Sequence, residues 1–240
     1  TYVFNNLYEL TEKNIKIKIR KEVQELGGMP FSKEAKQQSF DFYLALYRDE
    51  IIEKDGKNVE MRKSYSKEQL EDVIKELNPD LKYLDGDKEV PVEVIEVKNI
   101  QTKEGGGVQA DALEQTHYAI HFKLKHDAEI SFMLKKGMKY RVYEKKADGY
   151  NRPTYSREVV SEQTGKTITK NADVLANEGL YYTCSTYKIV EEETITWKNP
   201  RITMVPTGLV RDITPFVWGI FGFVAMAGAY LTISKKKREA

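Results

Sequence analysis

The sequence predicts a mainly β protein: an antiparallel sandwich carrying a helix-containing insertion, with a separate C-terminal transmembrane helix. Three observations predict it. Apolar residues alternate with polar ones in at least seven short stretches, the period of a strand with one buried face. Glycine-containing turn dipeptides separate those stretches. The end of the chain carries an unbroken apolar run from 213 to 233, about twenty residues and long enough to cross a bilayer core as a helix.

Taken in order, Ile15, Ile17 and Ile19 alternate with Lys16, Lys18 and Arg20, and Phe40, Phe42, Leu44 and Leu46 repeat the pattern. Tyr118, Ile120, Phe122 and Leu124 form a third stretch, and Ile130, Phe132 and Leu134 a fourth. Tyr140 with Val142, Leu180 with Tyr182, and Ile195 with Trp197 add three more. Turns are expected at Gly27-Gly28, Asp55-Gly56, Asp85-Gly86, Lys136-Gly137, Asp148-Gly149 and Thr164-Gly165. One segment follows a different period. Ser66-Lys67-Glu68-Gln69 reads as a capping box, Leu70, Val73, Ile74 and Leu77 follow at helical spacing, and Asn78-Pro79 ends the run. A helix over 66–77, lying on the sandwich, is therefore expected. The stretch 14–203 exceeds a minimal immunoglobulin-like sandwich of about 100 residues. The excess falls at about 55–112, which is read as the insertion.

Bulk properties narrow the function. A net charge of +1, with 31% charged residues of both signs, offers no single-sign field for nucleic acid. Cys184 is the only cysteine, so no intramolecular disulfide can staple the fold. It lies in an alternating stretch and reads as a small buried apolar group. His117 and His121 share one strand face with His126 nearby, but no ligand spacing completes a metal site; exposed surface histidines explain them better. Gly105-Gly106-Gly107 lacks the Lys-Ser/Thr of a phosphate loop. No cofactor is expected.

Strand parity singles out three polar residues. Two steps beyond Ile19 lies Lys21, two beyond Val142 lies Glu144, and two beyond Trp197 lies Asn199. Each therefore points where the apolar residues of its strand point, because a one-residue slip would turn the whole set over. A buried isolated charge costs several kcal/mol or neutralises. Together the trio suits spontaneous amide formation. Desolvation leaves the Lys21 amine neutral and nucleophilic. The same surroundings keep Glu144 protonated, able to polarise the Asn199 carboxamide and shuttle protons. Packing supplies the attack geometry. The product is an isopeptide bond between Lys21 and Asn199, made once per molecule. A plainer account has Lys21 snorkelling from a strand end and pairing with Glu144 as an ordinary salt bridge, with Asn199 in a turn.

At these residues the sequence resembles the isopeptide-linkage domains of Gram-positive pilins and the B-type repeats of collagen-binding adhesins. Ile17-Lys18-Ile19-Arg20-Lys21 is similar to the family's opening strand, Tyr140-Arg141-Val142-Tyr143-Glu144 to its Tyr-x-x-x-Glu box, and Ile195-Thr196-Trp197-Lys198-Asn199 to its closing strand. The resemblance implies a bond that resists force and proteolysis; the helical insertion has no assigned counterpart.

The C-terminal end carries a second resemblance. Val205-Pro206-Thr207-Gly208, the apolar run and Lys235-Lys236-Lys237-Arg238 resemble the cell-wall sorting signal of Gram-positive surface proteins. Lys and Arg resist translocation, so the basic end stays cytoplasmic. The resemblance implies a sortase that cuts between Thr207 and Gly208 and transfers the Thr207 carbonyl to an amine, on peptidoglycan or on a neighbouring pilin subunit. The usual motif is Leu-Pro-x-Thr-Gly; the proline placed directly before Thr207 is similar to the variant of some streptococcal backbone pilins. An ordinary single-pass anchor with a chance tetrapeptide is the alternative.

Tyr2, Phe4 and Asn6 repeat the parity of the closing strand, and the chain starts at Thr1 without a signal peptide. Residues 1–13 are accordingly expected to end a preceding domain of a longer precursor, with 204–240 as the sorting signal. The expected protein is a pilin or stalk subunit on the surface of a Gram-positive bacterium, held in the membrane before sorting and not an enzyme beyond its single self-modification. A wall-anchored adhesin, binding a host surface ligand through the insertion, is the second hypothesis. An enzyme ectodomain is the third, and no constellation for an external substrate supports it.

Overall fold

The computed structural model describes residues 13–25, 33–54, 57–98, 116–177 and 179–201. The chain divides into two compact units, Thr1–Ile202 and Thr203–Ala240, and every described residue belongs to the first. The sorting signal, the apolar run 213–233, Tyr2 to Asn6, Gly27-Gly28, Asp55-Gly56 and Gly105 to Gly107 lie outside the described residues. Among the described residues, no helix is long and apolar enough to cross a membrane.

The elements in chain order are β1 (Asn14–Glu25), α1 (Lys33–Gln37), β2 (Phe40–Lys54), β3 (Lys57–Ser64), α2 (Lys67–Leu77), β4 (Lys82–Asp85), β5 (Lys88–Pro91) and β6 (Glu93–Lys98). There follow β7 (Thr116–Leu124), β8 (Glu129–Lys135), β9 (Lys139–Lys145), β10 (Thr154–Val160), β11 (Thr167–Asp173), β12 (Leu175–Ala176), β13 (Leu180–Tyr182), β14 (Tyr187–Lys188) and β15 (Glu192–Arg201). Two sheets face each other. One has the order β11-β10-β15-β1-β8; the other runs β12-β13-β9-β2-β7-β6, with β3 on β2 and β14 on β9. All seven expected strands are present.

Between the sheets, Ile15, Ile17, Ile19, Phe132, Ile195 and Trp197 meet Phe42, Leu44, Phe122, Tyr140 and Val142 in one apolar core. The alternation of β1 is complete: its odd-numbered residues from Ile15 to Val23 are buried, Lys21 among them. The pattern fails in β9, where Arg141 and Tyr143 are buried as fully as Tyr140 and Val142. The outer face of that sheet carries its own cluster, including Tyr43, Tyr47, Tyr143 and Tyr182, so β9 reads as a continuous buried run.

One pairing departs from the antiparallel expectation. β1 and β15, the first and last described strands, lie side by side in parallel, with Lys21 opposite Trp197 and Val23 opposite Asn199. The remaining strand pairs among the described residues are antiparallel. A parallel neighbour needs a long crossover, and here the rest of the domain provides it.

The helix forms as its sequence directs. The Ser66 hydroxyl accepts from the Gln69 amide while the Gln69 side chain accepts from the Ser66 amide, a complete capping box. Leu70 and Val73 enter the main core. Asn78, at the helix C-cap, donates to the Met133 carbonyl at 2.9 Å and accepts from the Met133 amide at 2.8 Å. It thereby occupies the free edge of β8 as a strand would, satisfying groups that an edge leaves open. Of the segment 55–112, the described part 57–98 is continuous with the sandwich: β3 and β6 join the larger sheet, and β4 and β5 pair with each other in a small sheet of their own.

Candidate functional site

Lys21, Glu144 and Asn199 converge from three strands. Lys21 and Asn199 sit on neighbouring strands of one sheet, offset by two residues, and Glu144 reaches them from β9 in the facing sheet. Their relative exposures are 0%, 0% and 2%. The turn between β7 and β8 fixes the Lys21 backbone: its amide donates to the Ala128 carbonyl at 3.0 Å, and its carbonyl accepts from the Asp127 amide at 2.8 Å. β2 places Phe42 opposite Glu144.

The polar contacts meet on one atom. Lys21 Nζ donates to Glu144 Oε1 at 2.6 Å, and Asn199 Nδ2 donates to the same oxygen at 2.6 Å. Aromatic rings enclose them. Lys21 Nζ lies 3.9 Å from the centroid of Phe40 and 5.4 Å from that of Phe42. Trp197 packs edge-on against Phe42 and stacks on Tyr155. Among the described residues, Glu144 Oε2 and Asn199 Oδ1 have no hydrogen-bond partner.

Burial governs the charge state. Desolvation brings the Lys21 ammonium down to about 8, against the opposing attraction and hydrogen bond of Glu144. Desolvation also raises the Glu144 carboxyl, with Lys21 and Asn199 pulling the other way. Both shifts favour the neutral amine and the neutral acid, so burial makes it easier to move one proton across the 2.6 Å contact. One expected contact differs. Polarisation of the carboxamide requires its oxygen to face Glu144, whereas the nitrogen does. An ionised carboxylate only accepts, so it orients the NH2 group towards itself.

The other sequence candidates are placed as follows. His121 is bracketed by Asp41 at 3.0 Å and Glu93 at 3.3 Å, His117 contacts Ser64 at 2.7 Å, and His126 Nδ1 accepts from the Val23 amide. His117 and His121 are buried, which corrects the expectation of exposed histidines: β6 pairs alongside both, Ser64 of β3 meets His117, and the rings of Tyr43 and Tyr83 lie against His121. Among the described residues, no group of His, Cys, Asp or Glu could hold a metal ion. Cys184 lies in a bend between β13 and β14, not in a strand, and its thiol meets the Tyr155 hydroxyl at 2.9 Å. Sequence reasoning placed Phe40 and Phe42 in the core without connecting them to Lys21. The available signal was a pair of aromatics on the buried parity of a facing strand.

No family model matches the chain, and no curated protein matches it. Among solved structures it is similar to the major pilin of Streptococcus pyogenes, at 17% identity over 78% of this chain and 48% of that one, with a TM-score of 0.34. It is also similar to the major pilin proteins of two S. pyogenes serotypes. One is 18% identical over 79% of this chain and 45% of that one, with a TM-score of 0.35. The other is 19% identical over 78% and 45%, with a TM-score of 0.38. The chain thus spans about half the length of these structures.

Proposed function

We propose that this chain is a structural cell-surface subunit, a pilin or stalk, whose sandwich is locked by an autocatalytic isopeptide bond between Lys21 and Asn199. The observation that carries the reading is the single oxygen, Glu144 Oε1, set 2.6 Å from both the attacking nitrogen and the leaving nitrogen. Lys21 first yields a proton to Glu144, leaving a neutral amine and a neutral acid. The amine lone pair adds to Asn199 Cγ. The Cγ–Nδ2 bond breaks as Glu144 gives its proton to Nδ2 and takes one from Nζ. Ammonia leaves, an amide remains, and Glu144, a carboxylate at the start, ends protonated with the proton that the Lys21 ammonium brought. The carboxamide can also turn about its soft terminal torsion. Oδ1 then meets the Glu144 proton and the carbonyl is polarised before attack.

The sorting signal completes the proposal. A sortase would cut after Thr207 and join it to peptidoglycan or to a neighbouring subunit, with the membrane helix holding the chain until then. Val205, Pro206, Thr207 and Gly208 support this through their order before an apolar run and a basic end.

Intact mass tests the crosslink. The wild-type chain is expected to be lighter than its sequence by one ammonia, and Lys21→Ala and Asn199→Ala to have full mass. A wild-type chain of full mass would remove the proposal. On cells, a ladder of detergent-resistant species lost in Thr207→Ala marks a polymer, and a single wall-released band marks a monomeric surface protein.

A further inference from the structure

The reacting groups lie near the ends of their strands, where a sandwich opens to water, yet all three are buried. Four contacts close that end. Tyr150 sets its ring against Phe40, with centroids 5.0 Å apart and planes at 72°, and Phe40 in turn covers Lys21 Nζ. The backbone of Tyr150 forms a bridge with Arg201, and the Asn151 amide donates to the Pro200 carbonyl at 2.8 Å. This pins the β9–β10 connection onto β15 immediately after Asn199. Arg201 then reaches across to β1 and pairs with Glu25 at 3.1 Å, directly opposite it in the parallel register. Gly149, at φ 83°, supplies the left-handed turn that brings Tyr150 back over the core.

We propose that Tyr150, with the Arg201–Glu25 pair on its rim, is a plug that closes the reaction chamber and positions Asn199, setting the rate and pH dependence of the crosslink. The inference rests on the crosslinking reading above. Its physical basis is that desolvation is the largest influence on both Lys21 and Glu144. Water admitted beside Phe40 would return the amine towards its ordinary ammonium and the acid towards carboxylate, and that ion pair does not attack an amide. The Tyr150 hydroxyl is itself raised by desolvation, with Arg201, Glu25 and Glu144 also acting on it, which ties it electrostatically to the chamber and its rim. The charged groups acting on Tyr150 are Arg201 from β15, Glu25 from β1 and Glu144 from β9, and the β7–β8 turn adds His126 and Asp127 against Val23 and Lys21. His126 is held by the Val23 amide, and Asp127 pairs with Arg20 outside the chamber.

The test is the rate of ammonia loss. The full chain is made in a cell-free reaction with detergent and sampled over time by intact mass, at several pH values from mildly acidic to alkaline. Tyr150→Ala is expected to slow crosslinking about tenfold at neutral pH, the effect of about one unit of change in the amine. It should also move the half-maximal rate to higher pH. Tyr150→Phe keeps the ring and is expected to stay near wild type, and Arg201→Ala to fall between. Each substitution is also placed in the Lys21→Ala background, where no bond can form and Tm reads the fold alone. Should Tyr150→Ala lower that Tm, Arg201→Ala carries the same test. Crosslinking at the wild-type rate and pH profile in Tyr150→Ala and Arg201→Ala overturns the plug. A wild-type chain that keeps its ammonia removes the crosslink and the plug together.

Discussion

Two buried carboxylates each carry a cation, and the cations differ: Lys21 is fully buried, whereas Arg157 is half-buried. Lys21 and Glu144 join the two sheets; Arg157 and Glu193 bridge neighbouring strands β10 and β15 of one sheet. In each pair, burial raises the carboxyl and the cation opposes it. The cations respond in opposite ways. Burial lowers Lys21 to about 8, whereas burial of Arg157 is more than offset by Glu193 and Tyr140, and its guanidinium is raised. A guanidinium does not give up its proton in a protein; an ammonium does. Position supplies the other difference. Asn199 donates to Glu144, while the groups around the second pair are Tyr140 and the ring of Tyr187, 4.4 Å from the guanidinium carbon. A buried carboxylate thus keeps a charged guanidinium in one place and faces a cation pushed towards its neutral form, beside an amide, in the other.

Removing the bond proposed for the first pair should have the largest effect. Relative to wild type, Lys21→Ala is expected to lose about 5 kcal/mol, the scale for a covalent link closing a loop of more than about a hundred residues. Thermal unfolding at neutral pH measures it, and equal Tm values would show that no link had formed. Arg157→Ala should follow at about 3 kcal/mol, since it leaves the Glu193 carboxylate buried without its cation. It should leave the mass deficit of one ammonia intact. A full-mass Arg157→Ala chain would show that the two regions are not separable.

The contrast also explains what could be read in advance. The burial of Lys21, Glu144 and Asn199 was legible because each lies two residues beyond an inward apolar residue, and parity carries a side chain's direction that far. β11 was not legible: TITKNAD forms an exposed edge strand, so no apolar face patterned it. Arg141 and Tyr143 hid for the opposite reason, since a strand buried on both faces has no alternation to break. The bend at Cys184 and the parallel register of β1 with β15 are tertiary facts. No local period encodes them. Nor could spacing indicate which end of the Asn199 carboxamide meets Glu144, because that depends on the charge of the acid. Arg157 shares the parity of Tyr155, and Glu193 that of Ile195 and Trp197, but nothing pairs the two until β10 is set beside β15.

The smallest effect separates the pairs by titration. In Asn199→Ala the amine survives without an electrophile, so its ionisation becomes visible in stability. The folded-state value, about 8, lies below the ordinary 10.5, so between them the unfolded chain binds more protons than the folded one. Stability must then rise with pH through that window, with a slope of no more than about 1.4 kcal/mol per pH unit for one proton. Glu144 acts in the reverse sense at lower pH: its raised carboxyl keeps a proton in the folded state that the unfolded chain has lost, so stability falls as pH climbs above 4.5. The proposed bond would turn the amine into an amide in the wild type, and the alkaline rise should then vanish. The Arg157 pair contributes none in either chain, because its cation does not titrate there. Denaturant midpoints across this range, in Asn199→Ala and wild type side by side, isolate the Lys21 contribution. An alkaline rise of the same size in both chains would mean that residue 21 still carries a free amine.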